Sequence, residues 1–353
     1  MFESYEQAKM SILESEIHQQ PQVLQHLLDE ETAPVRRLVG QLRGQFQYVM
    51  IAARGSSDNA ARYAQYLLGA QNHLPVALAT PSLFSIYAQS PKLDGALVVG
   101  ISQSGQSPDI IEVIETGHKQ GRPTLAITNE ANSPLAQAAE HRILLHSGIE
   151  QAIAATKTYT ASLGALALFS ALLANDPKRL DDLQNIPDLM QRAITGIYAS
   201  LPRVERYRYM SHCTVIGRGY NYSTAFEVAL KIKELTRVVA EPYSSADFRH
   251  GPIAMVRDGF PVLLIAPLGM VYRDLEGLIA ELIVLDSELL IISDEPTLLE
   301  HAALALPIPS GVPEYLSPLI SVIPGQLFSM ALAQAKGLDP DRPSGLRKIT
   351  ETV

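Results

Sequence analysis

Leu97-Val98-Val99-Gly100-Ile101-Ser102-Gln103-Ser104-Gly105-Gln106-Ser107-Pro108-Asp109 sets an apolar run directly against a loop of small hydroxyl residues. The run is continuous rather than alternating, as in a strand covered on both faces of a parallel sheet. Pro108 suits the first position of a helix, where its missing N–H is no loss. Strand, loop and helix in this order make an α/β unit, and such sheets bind ligands at the carboxyl ends of their strands. Ser102, Ser104 and Ser107, with Gln103, place donors at a helix N-terminus whose partial positive charge attracts an anion. A monoester phosphate fits that chemistry. An ordinary Ser/Gly turn is the alternative reading.

The same rhythm extends in both directions. Short apolar runs at Tyr48–Ala53, Val76–Ala79, Ala96–Ile101, Thr124–Thr128 and Arg142–Leu145 alternate with helical patterns near Asp58–Leu68, Pro108–Gln120 and Pro134–Ala139. A second set of strands is expected at Cys213–Gly217, Val238–Glu241, Pro261–Pro267, Leu289–Ser293 and Ala303–Pro307. Two of the strands, ending Arg54-Gly55 and Arg218-Gly219, open helices in the same way, which reads as an internal duplication. The copies differ in chemistry. Where the first has Ser102-Gln103-Ser104-Gly105, the second has Ala266-Pro267-Leu268-Gly269, so one phosphate site per chain is expected.

With 353 residues, about two domains are expected at ~150 residues each. A composition 47% hydrophobic and 18% charged belongs to an ordinary globular protein. The formal charge of -9, without a basic cluster, argues against nucleic acid or an anionic membrane as partner. Cys213 is the only cysteine, which excludes an intrachain disulfide and fits a reducing cytoplasm. Glu3, Glu6 and Lys9 interrupt the first ten residues, against a secretory signal. The longest apolar segment, Ala161 to Ala174, falls short of the ~18 residues of a membrane span and reads as a buried helix.

Several further features can carry chemistry. Ser56 and Ser57 form a second hydroxyl turn, which adjacent strands would bring beside the first. Glu227, Lys231 and Glu234 share one helix face, either as a tuned proton shuttle or as a solvated ion-paired surface. His250 precedes Gly251-Pro252 on a loop, either as an acid–base group or as a surface residue. Lys348, in the tail, matters only if the tail folds over a pocket, where its amine could form an imine with a sugar carbonyl. The small-residue stretch from Glu150 to Lys157 permits close approach to a ligand.

Taken together, these residues resemble the isomerase half of glucosamine-6-phosphate synthase, built of two sugar isomerase (SIS) domains. The resemblance rests on Glu16-Ile17 with Gln20-Pro21, Arg54-Gly55-Ser56-Ser57, Ser102-Gln103-Ser104-Gly105 and Glu150 through Lys157. It continues through Glu227-x3-Lys231-Ile232-Lys233-Glu234, Glu241, His250-Gly251-Pro252 and the Leu346-Arg347-Lys348 tail. It implies an α/β chain of two tandem doubly wound, flavodoxin-like SIS domains, with N-terminal helices and a C-terminal tail. The expected divisions are a helical segment 1–45, a first domain 46–184 holding the phosphate site, a helical linker 185–204, a second domain 205–338 and a tail 339–353 over the active site.

The resemblance also implies roles. Ser57, Ser102, Gln103, Ser104 and Ser107 would bind the sugar phosphate, with Ser56, Ile153, Ala155, Glu227 and Lys231 completing or supporting the substrate pocket. Glu234 would move a proton between C1 and C2. His250 would open the sugar ring from a partner subunit, and Lys348 would form a Schiff base with the ketose. Three departures stand out: Gln106 and Ser107 where the synthase has Glu and Thr, Ala155 where it has Ser, and Arg347 in place of a small residue. The chain begins Met1-Phe2-Glu3, without the catalytic cysteine that opens the synthase's glutaminase domain. Isomerase chemistry without a glutaminase is expected to run as deamination, as in the SIS-type glucosamine-6-phosphate deaminases: glucosamine 6-phosphate and water to fructose 6-phosphate and ammonia. Alternatives are a deglycase or isomerase of another amino-hexose 6-phosphate, and a non-catalytic sugar-phosphate sensor. The expected setting is a cytoplasmic homodimer with shared active sites, a hexose 6-phosphate substrate, and no metal or cofactor.

Overall fold

A computed structural model describes residues 10–346 and 348. The first half runs α1 (Ile12–Leu42), β1 (Tyr48–Ala52), α2 (Gly55–Asn72), β2 (Val76–Leu78), α3 (Pro81–Ser85), β3 (Ala96–Ile101), α4 (Pro108–Lys119), β4 (Thr124–Thr128), α5 (Pro134–Ala138), β5 (His141–Leu144), α6 (Lys157–Ala174), α7 (Pro177–Gln184) and α8 (Ile186–Ile197). The second runs β6 (His212–Gly217), α9 (Tyr222–Thr236), β7 (Val239–Ser244), α10 (Ser245–Arg249), β8 (Pro261–Ile265), α11 (Tyr272–Val284), β9 (Glu288–Ser293), α12 (Pro296–Leu299), β10 (Leu304–Pro307) and α13 (Ser317–Ala335).

Each half forms a five-stranded sheet, ordered β2-β1-β3-β4-β5 and β7-β6-β8-β9-β10. All neighbours are parallel, and both halves repeat one doubly wound order. The expected strands are all present, with small shifts at their ends. β7 continues past Glu241 through Pro242 to Ser244. An edge strand tolerates a proline because one side of its ladder needs no partner.

The N-terminal segment differs from the plural helices expected. α1 is a single helix of 31 residues that passes through Pro21 and Pro34. A proline inside a helix normally costs ~3 kcal/mol, partly by orphaning the carbonyl four residues back. For Pro21 that carbonyl belongs to Ile17, and Gln20 Nε2 donates to it at 3.0 Å. Burial of Leu13, Ile17, Leu24, Leu27 and Leu28 further offsets the cost.

Both halves share one core. Residues of β1 and β3 and residues of β6 and β8 belong to the same buried cluster, filled by α1, α2, α6, α8, α9 and α13. Smaller clusters cover the outer faces of the sheets. The expected linker is therefore structural: α8 contributes Ile186, Met190, Ile194 and Ile197 to the common core. Two helical stretches, Lys157–Ala174 and Glu314–Ala335, are long and apolar enough to cross a membrane, contrary to the expectation from sequence. Both are almost wholly buried inside the protein, which is why they are apolar on every side. Gly325 lets α13 lie against α9, since a Cβ there would overlap Val228.

Candidate active site

β1 and β3 are neighbours, so the loops that follow them meet at the switch point of the first sheet. The Ser102–Ser107 loop is held by its own groups. Ser102 Oγ accepts from the Gly105 N–H at 3.1 Å, and Ser104 Oγ from the Gln106 N–H at 3.3 Å. Gly105 has φ +62, and a Cβ there would overlap the Ser133 hydroxyl. Ser107 occupies the N-cap of α4, yet its side chain makes no capping hydrogen bond. Its hydroxyl remains available to a ligand at the helix N-terminus.

These loops line a cavity of about 370 Å³. Ser56, Ser57, Ser102, Gln103, Ser104, Ser107, Ile153, Ala155, Glu234 and Lys348, all named from sequence, line it. Arg54, Glu150, Thr158, Tyr159, Ser162 and Leu346 line it as well. Leu346 and Lys348 of the tail reach the cavity. The Asp341 carboxylate accepts the Ile12 and Leu13 N–H groups at 2.9 and 2.8 Å, clamping the tail onto the start of α1. Lys348 Nζ then donates to Glu150 Oε2 at 2.9 Å and to the Ala152 carbonyl at 2.6 Å. Arg347 and Ile349, the latter a candidate tail anchor, lie outside the described residues.

Glu150 is a buried carboxylate with three further donors: the Thr156 and Thr158 N–H groups and the Thr158 hydroxyl. Its loop is pinned from below by Glu16 of α1, which accepts the Gln151 and Ala152 N–H groups at 2.5 and 3.2 Å. Burial raises the Glu16 carboxyl above its ordinary pKa, with the Gln151 N–H opposing. α1 thus supports both the tail and the loop that receives Lys348.

Glu227 and Lys231 do not themselves line the cavity; they stand behind Glu234 on α9. Nor are they a solvated surface, since their side chains are 0% and 1% exposed. Glu227 accepts from Ser56 Oγ at 2.9 Å and from Asn59 Nδ2 at 2.8 Å. Lys231 Nζ lies 3.5 Å from Glu227 and donates to Glu234 Oε2 at 2.5 Å. The chain of contacts leads from α2 of the first half, through Glu227 and Lys231, to the one carboxylate of α9 that faces the cavity. Burial alone would lower the Lys231 pKa, but Glu234 and Glu227 outweigh it and hold the ammonium above its ordinary range. The Ser56 hydroxyl is engaged by Glu227.

His250 caps the end of α10, is exposed, and does not line the cavity of its own chain. The matching loop of the second half is filled by the chain's own carboxylates. Glu314 places its carboxylate on the Met270 and Val271 N–H groups at 2.9 and 3.4 Å, and Asp294 takes the Leu268 N–H at 2.7 Å. The protein's own anions occupy the loop there. Among the described residues, no group of three or more His, Cys, Asp and Glu could hold a metal ion.

Residues 47–172 and 209–335 each match the SIS domain model, covering both sheets and most of the shared helical layer. The chain belongs to the SIS domain family. This SIS chain is 33% identical over 356 residues to glutamine–fructose-6-phosphate aminotransferase (isomerizing) of Gloeobacter violaceus, spanning 94% of its own length and 57% of the relative's. It thus spans a little over half the length of the curated relatives it matches. A crystal structure assigned as a phosphosugar isomerase from Silicibacter pomeroyi DSS-3 shares 32% identity at a TM-score of 0.83, over 94% of this chain and 100% of that one. The C-terminal domain of glucosamine-fructose-6-phosphate aminotransferase from Francisella tularensis shares 26% identity at 0.86, over 96% and 100%. Arg54, Asn59 and Glu150 carry more of the SIS site than their sequence signals indicated. Arg54 and Glu150 stand within motifs that carry the family resemblance, whereas Asn59 had no signal in the sequence.

Proposed function

We propose that this SIS-family phosphosugar isomerase converts glucosamine 6-phosphate and water to fructose 6-phosphate and ammonia. The reading rests on one observation: a single cavity is lined by the serine loop together with Glu234 and Lys348. The Ser102–Ser107 loop takes the phosphate. His250 of a second copy opens the ring. Glu234 removes the C2 proton of the open-chain amino aldose and returns it to C1, leaving an imine at C2. Lys348 must shed a proton before it can attack that carbon, and Glu150 at 2.9 Å can receive it. Its attack displaces ammonia, and water then hydrolyses the lysyl imine to release the ketose.

The test is ammonia release from glucosamine 6-phosphate by the purified chain, with borohydride trapping in fructose 6-phosphate. Ammonia and an adduct on Lys348 are expected. Absence of both overturns the reading.

A second reading has its own support. A cavity of about 640 Å³ shares Gln103, Ser104, Glu150 and Lys348 with the first and adds Asn129, Glu130 and Asn132. A substituent on the sugar nitrogen would fit there, as in an amino-acid-linked hexose 6-phosphate. Release of an amine other than ammonia from such a substrate, at higher kcat/KM, would favour that deglycase.

A further inference from the structure

Arg54 joins the first strand to the serine loop. It is the N-cap of α2, in extended backbone, followed by Gly55 at φ +54. Its Nε and one Nη lie 2.9 and 2.8 Å from Asp109 Oδ2. Asp109 is fully buried in the first turn of α4, directly after the serine loop. The Arg54 side chain is 49% exposed and lines the cavity with Ser102, Ser104 and Ser107.

The charges sharpen the point. An acid in the first turn favours the helix but repels an anion bound at the same N-terminus. Here Arg54 neutralises it. The charged residues lining the cavity are Arg54, Glu150, Glu234 and Lys348, and Lys348 is paired to Glu150. Arg54 is paired as well, to Asp109, but of the two cations that line the cavity among the described residues it is the more exposed, its side chain 49% open against 27% for Lys348. Guanidinium has five N–H donors in a planar fork, and the two atoms facing Asp109 leave others over.

The duplication provides an internal comparison. In the second half Arg218 stands at the matching position, but Asp274, in the first turn of α11, pairs with Arg249 instead, and the serine loop is absent. The Arg–Asp link and the hydroxyl loop occur together in the half that has the cavity.

We infer that Arg54, held by Asp109, selects for a phosphorylated substrate by contributing a charged donor to the phosphate. The inference rests on the sugar-phosphate reading of the cavity, and its test separates the two. Binding of inorganic phosphate to the full chain is measured by calorimetry for wild type, Arg54→Lys, Arg54→Met and Arg54→Met/Asp109→Asn. KM and kcat for glucosamine 6-phosphate are measured alongside.

Loss of a charge-assisted contact should weaken phosphate binding and raise KM by about ten- to a hundredfold in Arg54→Met, with a smaller effect on kcat. Arg54→Lys should fall between, keeping the charge and losing the fork. The double variant removes the unpaired Asp109 charge, so it tests the idea even if Arg54→Met folds poorly. It should still bind phosphate more weakly than wild type. Wild-type phosphate affinity and KM in the double variant would overturn the role of Arg54 alone. No phosphate binding by the wild-type chain would overturn the sugar-phosphate reading and this inference together.

Discussion

Lys231 reaches one helical turn along α9 to Glu234, and behind it Glu227 ties the pair to Ser56 and Asn59 on the other half of the molecule. A proton carrier needs a fixed position, and this buried relay provides it. If Glu234 moves the proton, Glu234→Gln should lower kcat by about 10²–10⁴-fold with the fold intact. It should also abolish incorporation of solvent deuterium at C1 of fructose 6-phosphate, read by NMR; full exchange would assign the role elsewhere. The spacing of the three residues was legible in sequence, but whether their face met solvent or protein was not. That depends on α2 and α13 packing over α9, which no local pattern encodes. Cys213 offers a simpler test. Burial pushes its thiol up to about 12. The raised value favours the neutral thiol, so its contribution to stability is present below the unfolded thiol's pKa and lost as pH rises toward 12. At pH 8 the thiolate fraction should be only about one in ten thousand. Iodoacetamide should therefore leave the native chain unlabelled over hours and label it rapidly in denaturant. Rapid native labelling would contradict the packing of β6.

The elements were the most legible level. Buried parallel strands are short, continuous apolar runs, and helices that open on proline or serine announce their first residues, as at Pro108 and Ser133-Pro134. The legibility failed where a side chain repaired a local defect. Pro21 lies inside α1, and Gln20 reaching the Ile17 carbonyl helps the helix pass it. The second loop read as merely lacking serines, whereas Glu314, distant in sequence, occupies its N–H groups. The tail shows the same logic. Asp341 caps α1 although the two are more than three hundred residues apart. Replacing a helix-capping acceptor costs about 0.5–2 kcal/mol. Asp341→Ala should thus lower Tm by a few degrees in calorimetry. If the clamp also positions Lys348, borohydride trapping with fructose 6-phosphate should fall several-fold at saturating substrate. Unchanged trapping would mean that the Glu150 and Ala152 contacts hold the lysine unaided.

At the scale of the whole molecule, the two halves are less separate than their repeated topology implies. One core runs between the sheets, and the Ser56–Glu227 and Asn59–Glu227 contacts cross from one half to the other beside the cavity. The exception to this integration is His250, exposed and outside the cavity of its own chain. An acid–base residue in that position acts only if another copy presents it. If a second copy does so about a two-fold axis, each site combines one chain's Glu234 with the other chain's His250. This arrangement makes a sharp prediction. Glu234→Gln and His250→Ala should each be nearly inactive alone. In a mixed dimer, one site carries both substitutions and the other carries neither. Random exchange yields mixed dimers in half the population, each with one native site, so the mixture should recover about a quarter of wild-type activity. Native mass spectrometry would establish that mixed dimers have formed. If they form and activity stays at the level of the separate variants, the sites are not shared, and ring opening must be assigned to a residue of the same chain.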